Sequence, residues 1–367
     1  MTTSHLGSPH RSKVLFPATL ISLGAWCLAA CGQTSSTSVT LTATNVGQRS
    51  FSGIVDKYSK ANNRANETLS VARQNDDEQG TAAAIDDTDF HLSREAGYQT
   101  AQGTSYQPFY EELDRAVVID SPKKPYPKLL VTVDAQYTND PTTANNSACR
   151  FLGVFAKNSP HAPWRVTDEP TVTKSLLPAV KVTDHNQGLV PSQSANLAIP
   201  LTRLPKYYAL ALTTYFQQGI VSRGLKQADF STSAKCWSLP QLSTNPYVSP
   251  SSSQQLATSA TVTAPSPHMV ALTTANGGAL AVFTLHVDLI SSSGKNAAFT
   301  WSHRATDPDS YLLPAATGLH NIQIPLLFDI AVYDPPVAMS KLAPRVVGSY
   351  WGPLLGGTEA HQAPLDA

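Results

Sequence analysis

The chain has 367 residues, with 26 basic and 26 acidic side chains and a formal net charge of zero. Nothing in that balance or its distribution provides a basic face to follow a nucleic-acid backbone, so nucleic acid is not an expected partner. Charged residues make up only 14%, below the ~25% of ordinary soluble domains, and the length left behind a leader suffices for about two ordinary domains.

The N-terminus is built like an export signal. His5, His10, Arg11 and Lys13 form a mildly basic head, and residues 14–30 form an apolar run with no carboxylate before Cys31. Pro17 and Gly24 weaken a helix there, and the run falls short of the ~20 apolar residues of a comfortable membrane span. It closes on Leu28-Ala29-Ala30-Cys31-Gly32. That stretch resembles the lipobox of bacterial exported lipoproteins. The resemblance implies a lipoprotein signal peptide over residues 1–30, cleaved between Ala30 and Cys31. It also implies diacylglycerol on the Cys31 sulfur and a fatty acid such as palmitate on the freed amine. A single acyl chain binds a membrane only marginally, whereas two or more hold stably at ~0.8 kcal/mol per buried CH₂. The expected address is the extracytoplasmic side of the cell membrane, with the membrane itself as partner through the lipid.

Cys27 leaves with the leader, so Cys149 and Cys236 are the remaining thiols. Outside the cytoplasm they can form a disulfide; the other reading is two separate buried thiols acting as small apolar residues.

Residues 31–50, rich in Ser, Thr and Gln, read as the lipidated cysteine and a disordered tether spanning ~25 Å. A first domain is expected over 51–175, a connector over 176–200, a second domain over 201–355 and a flexible tail over 356–367. Ile54, Tyr58, Ala61, Ala65, Leu69 and Ala72 recur at helical spacing and mark one buried face, leaving Asn62, Asn63, Asn66 and Glu67 on others. Asp76, Asp77 and Glu78 follow, Gly80 interrupts, and residues 82–90 read as a second helix carrying Asp86, Asp87 and Asp89. The register of a calcium loop is missing, so these carboxylates read as a solvated face.

From Arg115 the period changes to two. Strands are expected at 117–119, at 129–137, at 149–155 and from Trp164. In the second of these Leu129, Val131, Val133, Ala135 and Tyr137 alternate with Leu130, Thr132, Asp134 and Gln136. Residues 170–200 read as a linking stretch with room for one edge strand. Leu204, Tyr208, Ala211, Leu212 and Tyr215 then share a helix face, with Thr202 as N-cap, Pro205 in the first turn and Gly219 as stop. The Ser- and Pro-rich stretch near 238–267 reads as a mobile insertion. Asn276-Gly277-Gly278 marks a hairpin in which Ala281, Phe283, Leu285, Val287 and Leu289 point one way. Further strands are expected at 299–303, 322–333 and 346–351. The predicted fold class is α+β, with two tandem domains, each a helix laid on an antiparallel sheet.

Asn62-Asn63-Arg64-Ala65-Asn66, Tyr126-Pro127-Lys128, Pro163-Trp164-Arg165-Val166 and Ala275-Asn276-Gly277-Gly278-Ala279-Leu280, in that order and spacing, resemble exported actinobacterial lipoproteins that carry a domain of unknown function. Each half is also similar in outline to the cone-shaped NTF2-like fold, with Phe155, Trp164 and Arg165 in a hairpin typical of it. The resemblance carries over no catalytic residue.

Reactive motifs are sparse. No nucleophile elbow, zinc-protease pair or phosphate-cradling glycine loop occurs. Ser121-x-x-Lys124 and Ser292-x-x-Lys295 lie in turns with no Lys-Thr-Gly partner, and read as chance. His286, Asp288 and His303 could meet at a metal, yet two such residues on one strand face look like any solvent face, so no metal ligand is assigned. Asp134 with Tyr137 or Tyr110 would be the acid and phenol of an NTF2-like enzyme acting on a small hydrophobic molecule, but Asp134 lies opposite the apolar stripe and reads as solvent-facing. The leading expectation is a non-catalytic, lipid-anchored module for binding or envelope structure. It needs no cofactor, and its protein or small-molecule ligand is left open. A transport binding protein would need parallel βαβ halves, which the hairpins oppose.

Overall fold

A computed structural model describes residues 45–119, 126–137, 148–181, 196–218, 236, 257–264, 269–292, 299–303, 307–339, 342–356 and 358–361. The leader, Ala30 and Cys31, most of the tether, Ser121, Lys124, Trp237 and Lys295 lie outside these residues.

Three helices come first. Helix α1 (Asn45–Thr68) starts earlier than residue 51 and buries Val55, Tyr58, Ser59, Asn62, Ala65 and Asn66. The buried stripe stops at Leu69, whose φ of 50° turns the chain, so Ala72 does not continue it and is exposed. The Ser70 hydroxyl accepts from the Arg73 amide at 3.4 Å and caps α2 (Val71–Asp77). Helix α3 (Gly80–Glu95) follows at once.

The strands are β1 (Tyr110–Ile119), β2 (Lys128–Tyr137), β3 (Cys149–Lys157), β4 (Arg165–Asp168) and β5 (Thr171–Thr173), then, beyond helix α4 (Leu204–Gln218), β6 (Ala257–Thr263), β7 (Met269–Thr273), β8 (Ala279–Ser292), β9 (Phe299–Trp301), β10 (Ala316–Asp334), β11 (Arg345–Pro353) and β12 (Thr358–His361). They form one twelve-stranded sheet in the order β1-β2-β3-β5-β11-β10-β8-β6, with β4 also on β3, β7 on β8, and β9 and β12 on β10. Each of these pairings is antiparallel. The α+β class and the antiparallel sheet match the sequence reading, but strands from the two halves share a single sheet. The joint is β5, which lies in the stretch read as a linker with an edge strand. Thr171 and Val172 pair with Phe151 and Arg150 of β3 on one side and with Ser349 and Gly348 of β11 on the other. Three residues between prolines and polar turns are too short to display a period, so their central position is invisible to pattern reading.

Two other differences have the same origin. Ala257–Thr263, inside the Ser- and Pro-rich stretch, pairs along β8 as a strand, because its three threonines and Val262 are β-branched and suit a pleated surface. Thr358–His361, within the residues read as a flexible tail, pairs along β10. At α4, a 3-10 turn over Leu201–Arg203 runs straight into the helix, which removes Thr202 as its cap. At the β7–β8 hairpin only Gly277 takes a positive φ, 85°. Asn276 instead uses its side chain, accepting from Thr274 Oγ1 at 2.6 Å and donating to the Tyr333 hydroxyl at 2.6 Å.

The sheet is covered on both faces. Leu204, Tyr208, Leu212 and Phe216 of α4 pack with Phe283, Leu285, Phe328 and Ile330. On the opposite face Val131, Leu152, Val154, Val172, Leu280, Val282, Ala331 and Val347 form one apolar cluster that crosses the joint. Under α1 and α3, Val55, Tyr58 and Ala82 meet Leu130, Phe155 and Val166. Cys149, at the start of β3, is bridged to Cys236, with Cα atoms 5.1 Å apart.

Gly348 is where β11 can approach β5. A Cβ on it would stand 2.3 Å from Val172 Cγ1 and 2.5 Å from the Thr171 carbonyl. Gly348→Val should therefore destabilise by about 1–3 kcal/mol or more through overpacking. Urea unfolding checks this, and an unchanged midpoint would show that the joint tolerates separation.

Candidate functional site

Between the helical layer and the sheet lies a set of buried polar side chains that hydropathy alone assigns to solvent. Tyr58, Asn62 and Asn66 sit at successive i, i+4 positions of α1, so they form one stripe. The Tyr58 hydroxyl lies 2.9 Å from Glu78 Oε1 and 3.0 Å from Glu169 Oε2. Asn62 Nδ2 donates to Glu78 Oε1 at 2.8 Å and to the Tyr58 oxygen at 3.2 Å. Asn66 Nδ2 donates to the Asn62 carbonyl at 3.0 Å and also contacts the Asn62 side-chain oxygen. A hydroxyl has one proton to give. Serving two carboxyl groups at full strength therefore requires one of them to return a proton to the phenol oxygen.

Glu169 leads from β4 toward β5, and its neighbour Asp168 starts the second group. Thr284 Oγ1 donates to Asp329 Oδ1 at 2.7 Å and lies 3.4 Å from Asp168 Oδ1. Thr81 of α3 reaches Thr284 at 2.8 Å, and Thr167 donates to Asp168 Oδ2 at 2.6 Å. Asp329 is fully buried. Burial, reinforced by the charge of Asp168, holds its carboxyl well above the usual range, and the two side chains hydrogen-bond each other. A third group ties α2 and α3 to β11: Gln74 Nε2 donates to Asp86 Oδ2 at 2.6 Å and the Tyr350 hydroxyl to Asp86 Oδ1 at 2.9 Å.

Asp134 belongs to the same layer, contrary to the solvent-facing reading. It is 3% exposed, accepts from Thr132 Oγ1 at 2.5 Å, and its carboxyl is raised well above the usual range by burial and by Glu111. Glu111 in turn accepts from Ser59 of α1 at 2.9 Å. The face opposite the apolar stripe of β2 is covered by α1 rather than by water, which the period of two cannot distinguish. Tyr110 and Tyr137 pair with each other across β1 and β2, their rings 5.7 Å apart. They occupy the other face of the sheet from Asp134, since 134 and 137 differ by an odd number.

The acidic run is likewise not a solvated face: Asp77, Glu78 and Asp86 are buried. Asp77 is pushed up to about 8 by burial, with Glu78 and Asp76 adding to the effect. Elsewhere, Asp334 accepts from the Ile199 amide at 3.3 Å and burial pushes it up to about 7. His286 is exposed, and His303 stacks on Tyr311 at 4.3 Å. Among the described residues no group of three His, Cys, Asp or Glu side chains has the geometry of a metal site.

This arrangement can store protons and fasten helices to strands. An open groove among the described residues lies on the outer side of α1, lined by Gly53, Asp56, Lys57, Lys60, Ala61 and Arg64, and none of the buried carboxylates borders it. A signal for the layer did exist in the sequence: Asn62 and Asn66 extend the stripe of Tyr58 at helical spacing.

A family model described as a domain of unknown function, DUF8094, matches residues 45–348, which take in the helices, the joint and most of the sheet. No curated protein and no solved structure matches the chain.

Two measurements probe the layer. Asp77 keeps its proton up to about pH 8 when folded, against an ordinary value of 3.8. The folded chain binds the extra proton between these values, so this contribution to stability is full below the lower one and lost as pH rises through the upper one. Asp77→Asn should stabilise by several kcal/mol at pH ~9, with ~6 kcal/mol as the ceiling set by the shift at ~1.4 kcal/mol per unit, and flatten the decline; equal pH slopes in urea unfolding would contradict this. Tyr58→Phe should cost about 1–3 kcal/mol by leaving two buried carboxyl groups without their shared hydroxyl, and a neutral result in the same assay would mean that the hydroxyl does not tie them.

Proposed function

The chain belongs to the family of the domain of unknown function DUF8094, and we propose that it is a membrane-anchored extracytoplasmic lipoprotein of the actinobacterial type. In this reading its folded body is a non-catalytic module for binding or envelope structure. The observation that carries the reading is Leu28-Ala29-Ala30-Cys31-Gly32 behind a basic and apolar leader. Three further features support it. The Cys149–Cys236 bridge suits an oxidising compartment. The buried carboxylates face one another, threonines and amides instead of the groove on α1. The stretch between Cys31 and α1 leaves room for a tether. No helix among the described residues is long and apolar enough to cross a membrane; in this reading lipid on Cys31 is the means of attachment.

A second reading, an NTF2-like enzyme acting on a small hydrophobic molecule, draws on the raised carboxyls of Asp134 and Asp329 under the helical layer. It requires an apolar cavity that brings a ligand to one of them.

Metabolic labelling with a radioactive fatty acid tests the first reading. The label should appear on the processed protein, disappear in Cys31→Ser, and leave the variant in the soluble fraction. Label persisting in that variant, or absent from the natural protein, would refute the anchor.

A further inference from the structure

We infer that the outer face of α1 is a docking surface for anionic phospholipid headgroups, laid against the same bilayer that holds the lipid. The inference rests on the anchor reading only for what brings the helix to the membrane. Lys57, Lys60 and Arg64 are exposed and line one open groove together with Gly53, Asp56 and Ala61. Their spacing of three and four keeps them on one side of the helix. None of the three makes an ion pair with another described residue. Asp56 and the exposed Glu67, which continues the same spacing, offset two of these charges, and the stripe keeps one net positive charge. The opposite side of the helix is committed, since Val55, Tyr58, Ser59, Asn62, Ala65 and Asn66 are buried against the acid layer and the sheet. The helix therefore has one face for the protein and one for a partner.

Chain length selects the partner. Residues 32–44 separate Cys31 from the start of α1 at Asn45. In the anchor reading a tether of that length spans ~20 Å, and α1 is the first described element after the lipid. A cation near an anionic membrane surface is attracted appreciably, and the attraction fades within a Debye length. A tether of that reach lets the helix lie down on the surface, and only there, within a Debye length of the headgroups, does the attraction on its three cations operate. Gly53 and Ala61, between the charges, keep the face low so that the longer basic side chains can reach headgroup phosphates.

The test uses the full lipidated protein reconstituted into vesicles of phosphatidylglycerol with phosphatidylcholine, or of phosphatidylcholine alone. Amine-reactive labelling of Lys57 and Lys60 is read by peptide mass, with the exposed Lys206 of α4 as reference. In anionic vesicles Lys57 and Lys60 should react about tenfold more slowly, and about 0.5 M salt should restore the rate, while Lys206 stays unchanged. Equal rates in the two vesicle types would overturn the inference. The mass of the N-terminal peptide from the same samples separates the two ideas. Lipid present without protection refutes the docking face alone, whereas protection without lipid supports the face and refutes the anchor. In Arg64→Gln the lipid mass should persist while the protection of Lys57 and Lys60 in anionic vesicles weakens; protection equal to that of the natural protein would also overturn it.

Discussion

Three residues of β5 hold the two halves of the chain in one sheet. Thr171 and Val172 are paired on both sides, to Phe151 and Arg150 and to Ser349 and Gly348. A strand with both edges occupied cannot shift register without breaking two ladders, and a slip of one residue would turn Val172 out of its apolar cluster. Gly348 makes the arrangement possible, because any Cβ there would strike Val172. Gly352 plays the corresponding part for the helices: a Cβ on it would stand 2.5 Å from Ile85 Cγ2 of α3, so β11 accepts the sheet joint at one glycine and a helix at the other.

The acid layer follows from this joint. Asp168 and Glu169 come directly before β5, and the carbonyl of the intervening Pro170 accepts from the Leu152 amide at 3.0 Å. Their side chains are thereby delivered beneath α1 and α3, where Tyr58 meets Glu169 and Thr284, itself in contact with Thr81, meets Asp168. Burying so many carboxylates is costly unless they are hydrogen-bonded or neutral. The raised carboxyls of Asp134 and Asp329 show the second route and the Tyr58, Asn62 and Ser59 contacts the first. An interface made this way is directional, since it fits only when each donor meets its acceptor. That specificity suits a body whose helical layer must keep one face on the protein and present the other outward.

Much of the strand content was legible in the chain. Alternation in residues 129–137 and 279–290 located β2 and β8, and the Asn276-Gly277-Gly278 signal located the β7–β8 hairpin, although Asn276 fastens the turn by its side chain rather than by its backbone. Short strands without a period, β5 and β6, were not legible. Of the acid layer only the i, i+4 spacing of Tyr58, Asn62 and Asn66 was legible: Asp77, Glu78, Asp86 and Asp134 have the hydropathy of surface residues, and their burial is offset by partners distant in sequence, as Tyr350 is for Asp86.

The most direct test of the single sheet is calorimetry combined with hydrogen exchange on amides from both sides of β5, such as Val131 and Val154 on one and Leu285 and Ile330 on the other. A shared sheet and the apolar cluster that crosses the joint predict one cooperative transition, with calorimetric and van't Hoff enthalpies equal and the four amides losing protection together. Two separable transitions, with Val131 and Val154 exchanging while Leu285 and Ile330 remain protected, would contradict it.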